Sequence, residues 1–136
     1  MSCSDILLVV IYEVYMTHNP NVLENLPLTE STFFIMLCLS PGPLHGYAIM
    51  KDVERISDQR LKLSTGTLYG VLKRLLNKGW IERIENTSDQ GSTTAHARPR
   101  KSYALTDLGR SVLNAEAQRL NTLVQLVKLR ISGAQS

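Results

Sequence analysis

Ser64-Thr65-Gly66-Thr67-Leu68-Tyr69-Gly70-Val71-Leu72-Lys73-Arg74-Leu75-Leu76-Asn77-Lys78-Gly79 decides the fold. Leu68, Val71, Leu72, Leu75 and Leu76 recur at the i, i+3, i+4, i+7, i+8 spacing of an amphipathic helix. Ser64 is a suitable N-cap, and Lys78-Gly79 is a basic residue followed by a helix-ending glycine. Downstream, Ile81–Asn86 alternates imperfectly, as a short edge strand does, and Arg100–Leu105 reads as the returning strand. Between them Thr87–Ala97 has no apolar period and contains Gly91, which marks a polar hairpin loop. Helix, strand, basic loop and strand in that order predict a winged helix-turn-helix: a mostly α fold with a small two-stranded β-wing.

Charge supports a polyanionic partner. Between Arg60 and Tyr103 nine basic residues face three acidic ones, a net +6, while the rest of the chain is net −3 and the whole +3. On a helical wheel of about 100° per residue, the face opposite Leu68, Leu72 and Leu75 presents Gly66, Gly70, Lys73 and Asn77, flanked by Thr67, Arg74 and Tyr69. Lys73 and Arg74 suit phosphates. Thr67, Tyr69 and Asn77 can donate to phosphate oxygens or base edges. Two glycines on an exposed helix face cost about 1 kcal/mol each relative to Ala, which suggests close backbone approach to another surface. In the wing, Arg98, Arg100 and Lys101, with His96 nearby, suit a flanking minor groove or the backbone. The bland alternatives are a solvated helix face and a charged loop that deters edge aggregation.

Working outward, Leu44–Ser57 reads as a second helix with Ile49, Val53 and Ile56 on one face, and residues 58–63 as a turn. Thr29–Ser40 is apolar nearly all round, as a central core helix is, and Pro41-Gly42-Pro43 ends it. Ser4 and Asp5 can cap a helix running to about Thr17, although Val9, Val10 and Ile11 also suit a strand. Thr106 and Asp107 open a last helix reaching about Ile131. Leu113, Ala117, Leu120, Val124, Val127 and Ile131 follow each other at 4, 3, 4, 3, 4, a heptad seam, and Leu123, Leu126 and Leu129 form a second stripe. A helix with two apolar faces predicts a homodimer, with the N-terminal helix as a candidate cover for the second stripe. The domains expected are an N-terminal extension (1–27), a winged helix-turn-helix (28–105) and a dimerisation helix (106–136).

Other chemistries find no support. The two cysteines, Cys3 and Cys38, make no disulfide framework, and with them the chain suits a reducing cytosol. Cys38, inside an apolar run, reads as a small buried hydrophobe. The apolar run Ile6–Tyr12 falls far short of the roughly 20 residues that span a bilayer, so neither membrane nor secretion is expected. His18, His45 and His96 are scattered and show no metal spacing with the cysteines. Without a phosphate loop, nucleophile motif or paired carboxylates, no enzyme, cofactor or metal is expected.

Pro43-Leu44-His45-Gly46-Tyr47, Gly66-Thr67-Leu68-Tyr69, Leu72-Lys73-Arg74-Leu75, Gly79-Trp80-Ile81 and Pro99-Arg100-Lys101-Ser102-Tyr103-Ala104-Leu105-Thr106, with Gly109 after them, resemble the PadR family of transcriptional regulators over about Leu28–Arg110. The resemblance implies a homodimeric winged-helix repressor of duplex DNA, in many members with a small-molecule effector. It implies DNA contacts from Ser64, Thr67, Tyr69 and Lys73 and from Arg98 to Lys101. The chain departs from the family at Gly70, where relatives often carry a larger residue, and in its longer N-terminal extension. His45-Gly46-Tyr47 reads as packing of a tight turn with Tyr47 in or near the core, and Trp80 as core. A different class, a winged-helix protein-interaction adaptor that binds no duplex, is kept alive by the Lys-poor Thr87–Ala97 loop.

Overall fold

The computed structural model describes residues 22, 25–85 and 101–133. The N-terminal helix expected up to about Thr17, the loop expected over Thr87–Ala97, and His96, Arg98 and Arg100 lie outside them. Among the described residues, four helices and a three-stranded antiparallel sheet follow in the order α1 (Glu30–Leu39), β1 (Leu44–His45), α2 (Gly46–Ile56), α3 (Thr65–Lys78), β2 (Ile81–Glu85), β3 (Lys101–Leu105) and α4 (Asp107–Gly133). None of the described helices is long and apolar enough to cross a membrane. The chain divides into two compact units, one of residues 29–110 and the other including α4 from Ser111 onward.

Within residues 29–110, α1 and α3 begin where a hydroxyl can satisfy an orphan amide. The Thr29 hydroxyl accepts from the Thr32 N–H at 3.3 Å and starts α1. Ser64 accepts from the Thr67 N–H at 3.1 Å and starts α3. Gly79 ends α3 in the left-handed region at φ 74°, with its N–H on the Leu76 carbonyl and that of Trp80 on the Leu75 carbonyl. The turn between α2 and α3 runs through two left-handed residues, Asp58 and Gln59 (φ 55° and 62°). The buried Ser57 hydroxyl holds it by accepting from the Leu61 N–H at 3.1 Å. The core gathers Ile35, Met36 and Leu39 of α1, Ile49 and Val53 of α2, and Leu68, Val71, Leu72 and Leu75 of α3. Trp80, Ile81 and Tyr103 are buried too. Trp80 is therefore a core residue, and Lys78 Nζ stands 4.5 Å from its ring centroid. Cys38 is buried and free. On α1 the apolar character runs past the buried surface: Leu37 is 38% exposed.

The sheet order is β1-β3-β2, one strand more than the two expected. Leu44 pairs with Tyr103 and His45 with Ser102, so the second helix starts at Gly46 rather than Leu44. Two residues are too few to show a period, and their partners lie more than fifty positions away. β2 and β3 pair from Ile81↔Leu105 to Glu85↔Lys101.

In the second unit, Val112, Leu113 and Ala115 are buried, and so is Glu116, whose carboxylate accepts from the Leu28 N–H and pairs with Arg119. From Leu120 onward α4 is exposed, including Leu120, Leu123, Val124, Leu126, Val127, Leu129 and Ile131.

Candidate nucleic-acid interface

The buried stripe of α3 turns its other side outward. Ser64, Thr65, Gly66, Thr67, Tyr69, Gly70, Lys73, Arg74, Asn77 and Lys78 are all exposed, so every α3 residue singled out from the sequence sits on one free surface. Ser64 and Thr67 are partly committed, since the Ser64 hydroxyl also donates to the Thr67 hydroxyl at 2.9 Å. A Cβ added at Gly66 or Gly70 would meet nothing within 4 Å. The folded chain itself therefore does not demand glycine at either place. The bare backbone there is available to an approaching molecule.

Among the described residues, Lys73, Arg74, Arg83 and Lys101 enter no ion pair. Arg60, counted in the basic segment, differs: its guanidinium pairs with Glu30 of α1. Unpaired cations keep their full field for an external anion, whereas an ion-paired guanidinium offers little.

Sequence reasoning missed one part of this surface. Tyr47 was expected in or near the core, and it is 70% exposed, with Lys51 Nζ 5.6 Å from its ring centroid. The wheel contains the reason. Tyr47 precedes the buried Ile49 by two residues, about 200° of helix rotation, which points it away from the core. With Tyr47 turned out, a cleft of about 730 Å³ opens between the start of α2, the middle of α3 and the β-ladder. His45, Gly46 and Tyr47, Tyr69, and Arg83, Lys101 and Tyr103 line it. Gly46 makes the junction close: a Cβ there would stand 2.8 Å from the Tyr69 hydroxyl oxygen. The His45 ring turns to Ser102, its Nδ1 3.0 Å from that hydroxyl, and gives α2 no side-chain cap. Arg83 was hidden by the imperfect alternation of β2; its register partner is Tyr103, two residues along β3 from Lys101, so all three share one face of the ladder.

The seam residues of α4 divide. Leu113 is 7% exposed within the single chain, whereas Ala117, Leu120, Val124, Val127 and Ile131 are exposed.

Comparison with known proteins gives consistent matches. Residues 35–115 match the family described as "Transcriptional regulator PadR-like family". A curated relative, an uncharacterized 37.1 kDa protein in transposon TN4556 of Streptomyces fradiae, is 38% identical over 96 residues. These make up 70% of this chain and 24% of that protein, so the chain spans about a quarter of the relative's length. Among solved structures, Bacillus subtilis PadR in complex with operator DNA is similar with 25% identity and TM-score 0.53, over 65% of this chain and 47% of that one. A PadR family transcription regulator from Clostridium difficile is similar in fold with 22% identity and TM-score 0.59, over 76% of this chain and 99% of that one.

Proposed function

The chain belongs to the PadR-like family of transcriptional regulators, and on that premise we propose that it is a cytoplasmic, sequence-specific repressor that binds a pseudo-palindromic operator as a homodimer. The observation that carries the proposal is the free face of α3, where unpaired Lys73 and Arg74 stand beside Thr67, Tyr69 and Asn77 over two bare glycines. The likeness to a structure of Bacillus subtilis PadR on operator DNA supports the same reading.

In this reading two copies of α3 enter successive major grooves about 34–36 Å apart. The wing, with His96, Arg98, Arg100 and Lys101, grips the flanks. The second copy is supplied by the exposed part of the α4 seam, Ala117, Leu120, Val124, Val127 and Ile131. Each large apolar side chain left in water forgoes about 1.5–3 kcal/mol of burial, so a row of them favours association. Release from the operator by a small-molecule effector is part of the proposal on the strength of family membership alone.

The test is selection of duplexes from a random-sequence library by the full chain, followed by gel-shift titration of the selected sequence. A two-fold related motif and steeply salt-dependent affinity are expected, because neutralised phosphates release counterions. The double variant Lys73→Ala, Arg74→Ala should keep its melting temperature and lose most of its affinity. An unchanged titration curve for that variant would remove α3 from the interface, and no salt-dependent duplex binding at all would favour the adaptor.

A further inference from the structure

We propose that residues 1–21 fold back along α4 of their own chain and cover its Leu123 and Leu126 face. The seam of Leu120, Val124, Val127 and Ile131 then remains for the second copy. The proposal does not depend on DNA binding.

The face continues one that is already covered. Val112, Glu116, Arg119, Leu123, Leu126 and Arg130 follow each other at 4, 3, 4, 3, 4, so they share one side of α4, apart from the seam that starts at Leu113. Burial falls away along this side. Val112 is 0% exposed and Glu116 2%, the Arg119 side chain 35%, Leu123 45% and Leu126 53%. At the buried end stands the end of the N-terminal extension. The Leu28 N–H donates to the Glu116 carboxylate. Val22, fully buried, belongs to the same compact unit as α4 from Ser111 onward. The bare part of the face therefore begins where the extension arrives.

The occupant follows from reach, apolarity and charge. Residues 1–21 precede Val22, and α4 runs 17 residues past Glu116 to Gly133. At a helical rise of about 1.5 Å per residue these are roughly 30 Å and 25 Å long, so the segment reaches the whole bare face. Ile6–Met16 has Glu13 as its sole charged residue. A helix of that kind is apolar on every side and needs cover, and Leu7, Ile11 and Val14 repeat the 4, 3 spacing of the face. Residues 1–27 hold Asp5, Glu13 and Glu24 and no Lys or Arg, a net −3. Residues 117–136 hold Arg119, Lys128 and Arg130 and no acidic residue, a net +3. Arriving at Glu116, the segment runs antiparallel to α4. Glu13 lies 15 residues before Leu28 and Arg130 lies 14 after Glu116, so the two charges come level. Two copies of the α4 face would instead bring like charges together, which disfavours that pairing.

The experiment is limited chymotrypsin digestion of the full chain, read by the masses of products cut after Tyr12 and Tyr15. Leu123→Asp, Leu126→Asp, both at exposed positions, should speed those cuts at least about tenfold, because cleavage follows the population of the open form. Arg130→Glu should speed them less, and Glu13→Arg added to it should return the wild-type rate. The seam variant Val124→Asp, Val127→Asp should be cut as slowly as wild type. Equal cleavage of wild type and the Leu123, Leu126 variant overturns the proposal; if that variant is also monomeric in sedimentation velocity, the face belongs to the second copy's α4. Faster cleavage in the seam variant as well would assign the segment to the second copy and overturn the own-chain assignment. If the Leu123, Leu126 variant loses its helical circular dichroism, the charge pair decides alone, and absence of rescue by Glu13→Arg overturns the proposal.

Discussion

Gly109 presses its bare Cα onto the carbonyl group of Trp80: a Cβ at residue 109 would overlap the carbonyl oxygen and stand 2.8 Å from the carbonyl carbon and 3.1 Å from the Trp80 Cα. The same carbonyl oxygen accepts from the Thr106 N–H at 3.0 Å. The Thr106 hydroxyl donates to the Gly79 carbonyl and accepts from the Gly109 N–H at 3.0 Å. The first turn of α4 is thus fastened to the chain leaving α3, all within residues 29–110. The obstacle is backbone, which cannot swing aside as a side-chain tip can. Gly109→Ala should lower stability by about 2–3 kcal/mol or more, although Ala is the better helix former by about 1 kcal/mol. Urea denaturation reads this directly, and a midpoint at or above wild type would contradict the packing.

Gly70 predicts the opposite sign. A Cβ there meets nothing within 4 Å, so Gly70→Ala should recover helix propensity and stabilise the free chain by about 1 kcal/mol. If the bare face of α3 exists for close approach to DNA, the same change should weaken duplex binding. Melting and gel-shift measurements on one preparation separate the two effects. A more stable variant with wild-type affinity would show that the glycine has no part in the interface.

α3 was legible almost residue by residue, because cap, apolar stripe and C-terminal glycine all point to the same ends. Trp80 and Cys38 were legible as core for the same reason: each adjoins a strongly apolar pattern. β1 was not, since two residues carry no period and what makes them a strand is Ser102 and Tyr103, far along the chain. Tyr47 was misread because an aromatic residue in a tight turn suits either side. Its angular distance from Ile49 held the answer. The cleft was beyond sequence reasoning altogether, because Tyr47, Tyr69 and Arg83 share no local pattern and meet only through the fold.

Cys38 supplies a pH prediction. Burial pushes its thiol up to about 12, assisted by the hydrogen bond to Asp52 and by that carboxylate's charge, with Arg55 opposing. A thiol raised in the folded state stays protonated there after the unfolded chain, with its ordinary value of about 8.5, has begun to ionise. Its contribution to stability is complete below that value and is lost as pH climbs towards 12. In a Cys3→Ser background, alkylation of Cys38 by iodoacetamide at pH 8 should be slow in buffer and fast in denaturant. Equal rates would mean that the thiol is neither buried nor suppressed.

The α4 seam separates fold from association. Leu113 is 7% exposed in a single chain, so Leu113→Ala should cost about 2–5 kcal/mol as a core truncation. That loss should be the same at every protein concentration. Val124 and Val127 are 47% and 56% exposed, so a single chain loses little when they change. The double variant Val124→Asp, Val127→Asp should keep the helical signal and the unfolding midpoint of a dilute sample. In sedimentation velocity it should run as a monomer where wild type should run as the proposed dimer, since two facing pairs of carboxylates would repel in an apolar seam. Its affinity for a two-fold operator should fall as the second α3 is lost, and its affinity for a half-site should hold. A variant that stays dimeric would move the proposed interface off the Val124 and Val127 side of α4, leaving Leu123, Leu126 and Leu129 as the stripe to test.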